Sequence, residues 1–371
     1  MRTIIFKPTH DCNLACPFCY NRKKKAASQQ IMSLDKAIFA LSKAIREFND
    51  GRGVEIIWHG GEPLLVGYEY LAAIFEEFKT DNVHWVIQTN GSLLTPKMAR
   101  LFQKFNVKVG CSWDGKNNHS EHSWDYVCKV HDLMNGGALF TVTKENMHLV
   151  LPSYIFSHGQ NVDIEYNNVF GEGNTAEDYK QMAYYLLQLF DFLCQEPDGK
   201  FIRPFDDLEH WLTNDPSKIC DRGACSMNWI GIQPNGDITR CGKPWTSDFI
   251  FGNIFDENFH LTDLPYHPLT KKLDENAKAQ WVSCKKCKWL KVCNNGCPFS
   301  CYDKQGNFNF NQEYCAYSQL LLDGCLGIFK THIVNKTLRS EQMIQILHST
   351  NRLEFAQWKN YTYPTTETPL V

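Results

Sequence analysis

No stretch of this chain is long and apolar enough to span a bilayer, and Met1–Pro8 lacks the apolar core of a signal peptide. A cytoplasmic protein is therefore expected. Neither sign of charge dominates: 38 Lys and Arg stand against 41 Asp and Glu, a net charge of −3. That balance excludes a global field for nucleic acid or an anionic membrane. The basic run Arg22–Lys25 is short and reads as a solvated loop rather than a phosphate tracker. No internal repeat appears beyond an alternation of strand-like and helix-like segments, and 371 residues suffice for one large α/β domain plus a smaller one.

Cysteine is present in excess, with 16 in the chain. Without an export signal, a disulfide framework is disfavoured and metal or cluster ligation is the better account of clustered thiols. Cys12, Cys16 and Cys19 lie near the start, and nine more fall between Cys220 and Cys315. Cys111, Cys128, Cys194 and Cys325 are isolated and read as ordinary buried thiols. No fourth cysteine follows the triplet closely, so three thiolates can hold three corners of a cubane while one iron keeps an open position. Half a zinc site, completed by His10 or a distant ligand, is the alternative.

Apolar β-branched runs predict strands at Thr3–Phe6, Val54–Trp58, His84–Ile87, Val107–Ser112, Leu139–Val142 and Val162–Tyr166. Helical spacing predicts helices at Leu34–Glu47, Tyr70–Phe78, Pro96–Phe105 and Ala176–Gln195. Such alternation specifies a parallel sheet or barrel, whose active site lies at the carboxyl ends of the strands. The cysteine loop, Gly60-Gly61-Glu62, Asn90-Gly91 and Ser112–Gly115 each follow a strand and are expected to converge. Residues 1–200 read as the barrel, 201–219 as a connector, 220–320 as a cysteine-rich unit of short strands and turns, and 321–371 as a helical tail that frays after Tyr363.

The spacing Cys12-x3-Cys16-x2-Cys19 with Phe18, followed by Gly-Gly-Glu after the second strand, resembles the signature of radical S-adenosylmethionine (SAM) enzymes. The resemblance implies a partial (β/α)6 TIM-like barrel and a [4Fe–4S] cluster on those cysteines. Its open iron would chelate the amino and carboxylate groups of SAM, and reductive cleavage would give a 5′-deoxyadenosyl radical. Gly60, Gly61 and Glu62 fit the methionine-amine site, since glycines let backbone carbonyls approach and Glu62 offers a carboxylate. Gln88, Asn90, Ser112 and Asp114 are candidates for ribose or substrate, and Phe18 for packing on adenine.

The later cysteines run Cys225-x10-Gly236-x4-Cys241, then Cys284-x2-Cys287-x5-Cys293-x3-Cys297, then Cys315, with Cys220 just upstream. This resembles the SPASM extension of radical SAM peptide-modifying enzymes. It implies two auxiliary [4Fe–4S] clusters, one on Cys220, Cys225, Cys241 and Cys297, the other on Cys284, Cys287, Cys293 and Cys315. Structural zinc is the alternative. Cys301 is surplus to the pattern.

SPASM enzymes mostly act on peptides or proteins. The length resembles the anaerobic sulfatase-maturating group, which oxidises Cys or Ser to formylglycine. That group carries an Asp base after the equivalent of Cys241, where this chain has Gly242, and Gln where it has His59. Asp237 and Asp248 are possible replacement bases. Asn117, Asn118, His119 and His122 also depart from the group's pattern. A maturase of ribosomally made peptides is therefore the favoured reading, forming thioether, ether or carbon–carbon crosslinks or epimerising a residue. His59, Glu165, Tyr166 and Glu172 are its candidate substrate-facing residues. No leader-binding domain fits before Cys12, so a separate protein or the C-terminal helices are expected to hold any leader. A low-potential flavodoxin or ferredoxin is expected as electron donor. The rivals are a non-catalytic, zinc-rich binding protein and an enzyme acting on a small molecule.

Overall fold

The computed structural model describes residues 1–16, 18–19, 21, 31–115, 123–168, 174–214, 228–242, 249–293, 296–297, 301 and 310–350. Six strands follow one another across a sheet in sequence order: β1 (Arg2–Phe6), β2 (Val54–Trp58), β3 (Val83–Thr89), β4 (Lys108–Trp113), β5 (Ala138–Val142) and β6 (Ile164–Asn168). Each pairs in parallel with the next. The helices between them are α1 (Leu34–Phe48), α2 (Tyr68–Glu77), α3 (Pro96–Lys104), α4 (Ser123–Met134) and α5 (Val150–Gly159). After β6 comes α6 (Ala176–Gln195). This is the mixed α/β, parallel-sheet architecture that the sequence predicts, as an open array.

Strand side chains alternate between two faces, so residues in register share a face. Phe6, Trp58, Ile87 and Val109 share one of them, as do Trp113, Phe140 and Tyr166 further along the sheet. This face is buried under the helices. Phe75 of α2 packs edge-on to Trp58 and Trp85, with ring centroids 5.9 and 5.0 Å away. On the other face, Gly231, Ile5, Ile57 and Val86 lie in register, followed by Gln88 beside Gly110 and by Ser112, Leu139 and Glu165. That face is less covered and more polar.

Beyond β1 the sheet continues with β7 (Trp229–Ile232), which pairs with it in parallel, and then antiparallel β8 (Asp237–Thr239) and β9 (Ile250–Asn253). Gly236, at φ 89°, makes the β7–β8 turn. The cysteine-rich part of the chain is thus joined to the barrel edge by backbone hydrogen bonds. Lys43 of α1 reinforces the join by donating to the carbonyls of Ile254 and Asp256 at 3.3 and 3.1 Å.

Helices α4, α5 and α8 (Pro268–Cys284) were not anticipated from the sequence. The stretch expected as a connector contains α7 (Asp206–Thr213). A short helix, α9 (Leu290–Cys293), precedes α10 (Gln312–Val334), and α11 (Glu341–Ser349) follows. Asn311 caps α10 by accepting from Tyr314 N at 2.9 Å, so the helix begins ahead of Leu320 and takes Cys315 into its first turn. α10 packs on α6 at a point where a Cβ on Gly324 would come within 2.5 Å of Leu187.

Candidate functional site

The loops after β1 and β2 are tied together by backbone hydrogen bonds. Gly61 N donates to Thr9 O at 3.0 Å, and Glu62 N to Asp11 O at 2.8 Å. A Cβ on Gly61 would stand 1.8 Å from Asp11 O, and one on Gly60 2.3 Å from Thr9 O. No other residue allows that approach, which is the physical reason for the double glycine. Asn21 also donates to the Gly60 carbonyl.

Glu62 is 1% exposed and takes three donors within the chain: Leu64 N at 3.0 Å, Thr89 Oγ1 at 2.7 Å and Asn90 N at 2.9 Å. Burial raises its pKa against the pull of these hydrogen bonds. Its carboxylate fastens the β2 loop to the β3 loop, a task that the sequence does not disclose.

Cys12, Cys16 and Cys19 are half-buried beside these loops, with Cys19 N donating to Cys16 O at 3.2 Å. The Cys16 thiol is pushed up to about 12, first by burial, then by Cys19, Cys12 and Asp114. Three thiolates so close repel one another unless a cation lies among them, and that donor chemistry fits an iron–sulfur cluster. Cys12 Sγ accepts from Leu14 N at 3.4 Å and faces Asn90 Nδ2 at 3.9 Å. Asp114 is buried near Cys16, and Phe18 is half-buried in the same loop.

On the polar face of the sheet, Gln88 Nε2 donates to Ser112 Oγ at 2.9 Å, and Gly110 leaves room for the Gln88 amide. His59 lies recessed on this face. Gly60 N donates to its Nδ1 at 2.8 Å, so the neutral ring carries its proton on Nε2. Burial and then the Lys7 charge hold its pKa down at about 4. His59 is thus a neutral donor near pH 7 rather than a ready base. Lys7, 1% exposed, ends the apolar run of β1 and donates to the Gly242 carbonyl. Its signal in the sequence is a charge continuing a buried strand, which went unread.

Tyr166 needs correction as a candidate substrate-facing residue. It lies on the helix-covered face, 1% exposed, and its hydroxyl is 3.0 Å from both Ser153 Oγ and Val150 O of α5. Glu165, its neighbour, faces the polar side and lies 3.9 Å from Arg203 Nε. Asp206, also near Arg203, has its carboxyl raised to about 7 by burial and the Asp207 charge. The sequence reading singled out neither Arg203 nor Asp206. Asp237 is a hairpin residue held by Asn235 and Asn253, 2.7 and 3.0 Å away. Glu172, Asp248 and 117–122 lie outside the described residues.

In the second cysteine field, Cys220 and Cys225 lie outside the described residues. Cys241 follows β8, where Thr239 Oγ1 donates to its carbonyl at 2.8 Å. Cys297 is buried and Cys293 half-buried. Burial raises the Cys284 and Cys315 thiols, and both also feel Cys287 and Cys301. Gln319, one turn beyond Cys315 on α10, lies 3.9 Å from Cys287 Sγ. The surplus Cys301 is therefore a buried neighbour of this group. Among the isolated thiols, Cys111, Cys194 and Cys325 are buried as expected, but Cys128 is only half-buried. Among the described residues, no helix is long and apolar enough to cross a membrane.

Residues 6–186 match the family model of the radical SAM superfamily. The chain is similar to a cysteine-type anaerobic sulfatase-maturating enzyme of Clostridium novyi, 26% identical over 334 residues, covering 80% of this chain and 87% of the relative. It is also similar to the radical SAM cyclopropyl synthase TigE of Paramaledivibacter caminithermalis, 24% identical over 356 residues, covering 85% and 71%. Among solved structures, native anSMEcpe with bound AdoMet aligns with a TM-score of 0.74 at 21% identity, over 95% of this chain and 99% of that one. The same protein with AdoMet and Cp18Cys peptide gives 0.72. At such identity the likeness is one of fold.

Proposed function

Residues 6–186 are a radical SAM domain, and from that premise we propose an enzyme that modifies a residue of a peptide or protein. Cys12, Cys16 and Cys19 would hold the SAM-binding cluster. Together, cluster and SAM supply a hydrogen-abstracting radical when bound. The outcome we favour is a thioether, ether or carbon–carbon crosslink, with other oxidation or epimerisation as variants.

The chain's own residues define the surroundings of that chemistry. Gly60 and Gly61 bring backbone against the cysteine loop, Glu62 locks the loops, and Gln88 and Ser112 line the polar face. His59 adds a neutral imidazole to that face. Peptide chemistry as such is favoured by kinship with the sulfatase-maturating enzymes.

The observation that carries the choice of reaction is the packing of Gly242. A Cβ there would lie 2.8 Å from Ile5 Cγ2, and the Gly242 carbonyl receives the Lys7 ammonium. An acidic base has no room there, and a neutral His59 does not replace it. This argues against formylglycine generation with a carboxylate base at residue 242. Formylglycine generation is the second reading, supported by the Clostridium novyi relative.

Residues 220–320 would hold two auxiliary clusters on the two sets of four cysteines, beside the barrel at 1–200. A low-potential flavodoxin or ferredoxin would supply electrons, in the reducing cytoplasm. The test is anaerobic reconstitution, with iron, sulfide and 5′-deoxyadenosine assayed in wild type and Cys16→Ala. About twelve irons per chain and SAM cleavage lost in the variant are expected. Peptides encoded beside this gene are then assayed by mass spectrometry. Loss of hydrogen that leaves two residues joined in the fragment spectrum, with no aldehyde formed, supports a crosslink, whereas an aldehyde formed from Cys or Ser establishes the second reading. Zinc in place of iron, with no SAM cleavage, would overturn both.

A further inference from the structure

Asn90 stands at the end of β3, and its side-chain orientation is fixed by its neighbours. Ser92 N donates to Asn90 Oδ1 at 3.0 Å. A backbone N–H can only donate, so Oδ1 is the accepting atom and the amide NH2 points the other way. That NH2 reaches Asn13 Oδ1 at 3.0 Å and Cys12 Sγ at 3.9 Å. Asn13 Nδ2 donates in turn to Ser92 Oγ at 2.8 Å, closing a ring of three side chains. The backbone of Asn90 is held independently by its bond to Glu62 Oε2 at 2.9 Å. With Leu14 N at 3.4 Å, the Cys12 sulfur therefore faces two N–H donors among the described residues.

We propose that Asn90 is a positioning residue that sets the reduction potential of the cluster ligated by Cys12, by directing its amide N–H at that sulfur. This rests on reading the triplet as cluster ligands, and it moves Asn90 from the expected contacts of SAM to the thiolate. One electron passes from an external reductant such as dithionite to the cluster, leaving the cluster reduced and dithionite oxidised. The added negative charge spreads onto the thiolate sulfurs. An N–H dipole aimed at sulfur stabilises the reduced state more than the oxidised one and so raises the potential. Asn90, braced by Asn13, Ser92 and Glu62, supplies that dipole with little freedom to turn away.

The experiment is a dithionite titration of the reconstituted full-length chain, followed by electron paramagnetic resonance. The signal that changes on adding SAM identifies the cluster in question. Asn90→Asp keeps an oxygen for Ser92 and the backbone bond to Glu62 but loses the donor; Asn90→Ala removes both side-chain functions. In each, the ratio of reduced to oxidised cluster at a fixed potential should fall about tenfold, a shift of about 59 mV for one electron. Ser92→Ala, which keeps the backbone N–H that orients Asn90 but opens the ring of side chains, should lower the potential by less than either Asn90 variant. Unchanged potentials at full iron content would overturn the proposal, as would weaker SAM binding without any change in potential. Loss of iron from both Asn90 variants would overturn it too, because Asn90 would then be needed to build the loop. A wild-type protein without a SAM-responsive signal would instead refute the underlying reading of the triplet.

Discussion

Replacing His59 by Gln should remove an acid-sensitivity that the wild-type protein carries. The His59 pKa falls from an ordinary 6.5 to about 4, chiefly through burial and secondarily through Lys7. At about 1.4 kcal/mol per pH unit, the full linkage is on the order of 3 kcal/mol. Its sign follows from which state takes up the proton. Below pH 6.5 the unfolded chain protonates this imidazole while the folded chain does not, so stability falls as pH drops from 6.5 towards 4. Between pH 7.5 and 5.5 the expected loss is about 1.4 kcal/mol.

The assay is equilibrium urea unfolding at those two pH values, on reduced, iron-free wild type and His59→Gln. The variant should lose about 1.4 kcal/mol less than wild type across the interval. Asp206 contributes with the opposite sign, because its pKa is raised, but it is present in both proteins and cancels in the difference. Lys7→Met should give an intermediate result, since burial remains as the larger cause. Equal losses in wild type and His59→Gln would refute both the low pKa and the assignment of His59 as a neutral donor.

Asp206→Asn should stabilise the protein more at pH 8 than at pH 5. The folded carboxyl, raised to about 7, pays an ionisation cost that the unfolded chain avoids; denaturation at the two pH values tests this, and an equal effect at both would contradict it. Gly61→Ala should displace the cysteine loop, because its Cβ would fall 1.8 Å from Asp11 O. Iron analysis of the reconstituted variant should show less iron per chain than wild type. Gly242→Asp should give no formylglycine from a cysteine-containing sulfatase peptide, since the new side chain meets Ile5; aldehyde detection would catch the contrary result.

The strands and most flanking helices of the barrel were legible because burial on one face imposes a period of two and amphipathic packing one near four. Val54–Trp58 is observed at its predicted bounds, and Ala176–Gln195 likewise. α4 and α8 were missed because polar residues interrupt their apolar faces. Tyr166 was misread for a different reason. Proximity to a strand's carboxyl end was taken as sufficient, whereas its register with Phe140 sends the side chain under α5. The cysteine loop and the double glycine were legible because their chemistry restricts residue type. The three internal bonds of Glu62 and the burial of Lys7 were not, because they depend on partners from other strands.

The pairing of β7 with β1 explains why a radical SAM domain alone does not define the reaction. Lys7 follows β1 directly, yet its ammonium is held by the carbonyl of Gly242, a residue 235 positions later in the chain. Ile5, on the same face, limits what residue 242 can be, and Lys7 helps keep His59 neutral. Residue 242 thus adjoins the β1 and β2 ends, where it contacts Ile5 and Lys7 rather than the triplet or the double glycine. Two proteins can share everything needed to generate a radical and still differ in the group that meets the substrate. The sulfatase-maturating enzyme and cyclopropyl synthase among the relatives fit that separation: each is similar to this chain over most of its length, while the activities they are named for differ. Residues 5, 7, 59 and 242 are accordingly best varied together, because a substitution at 242 tested against an unchanged Ile5 and Lys7 measures a steric conflict as well as the missing carboxylate.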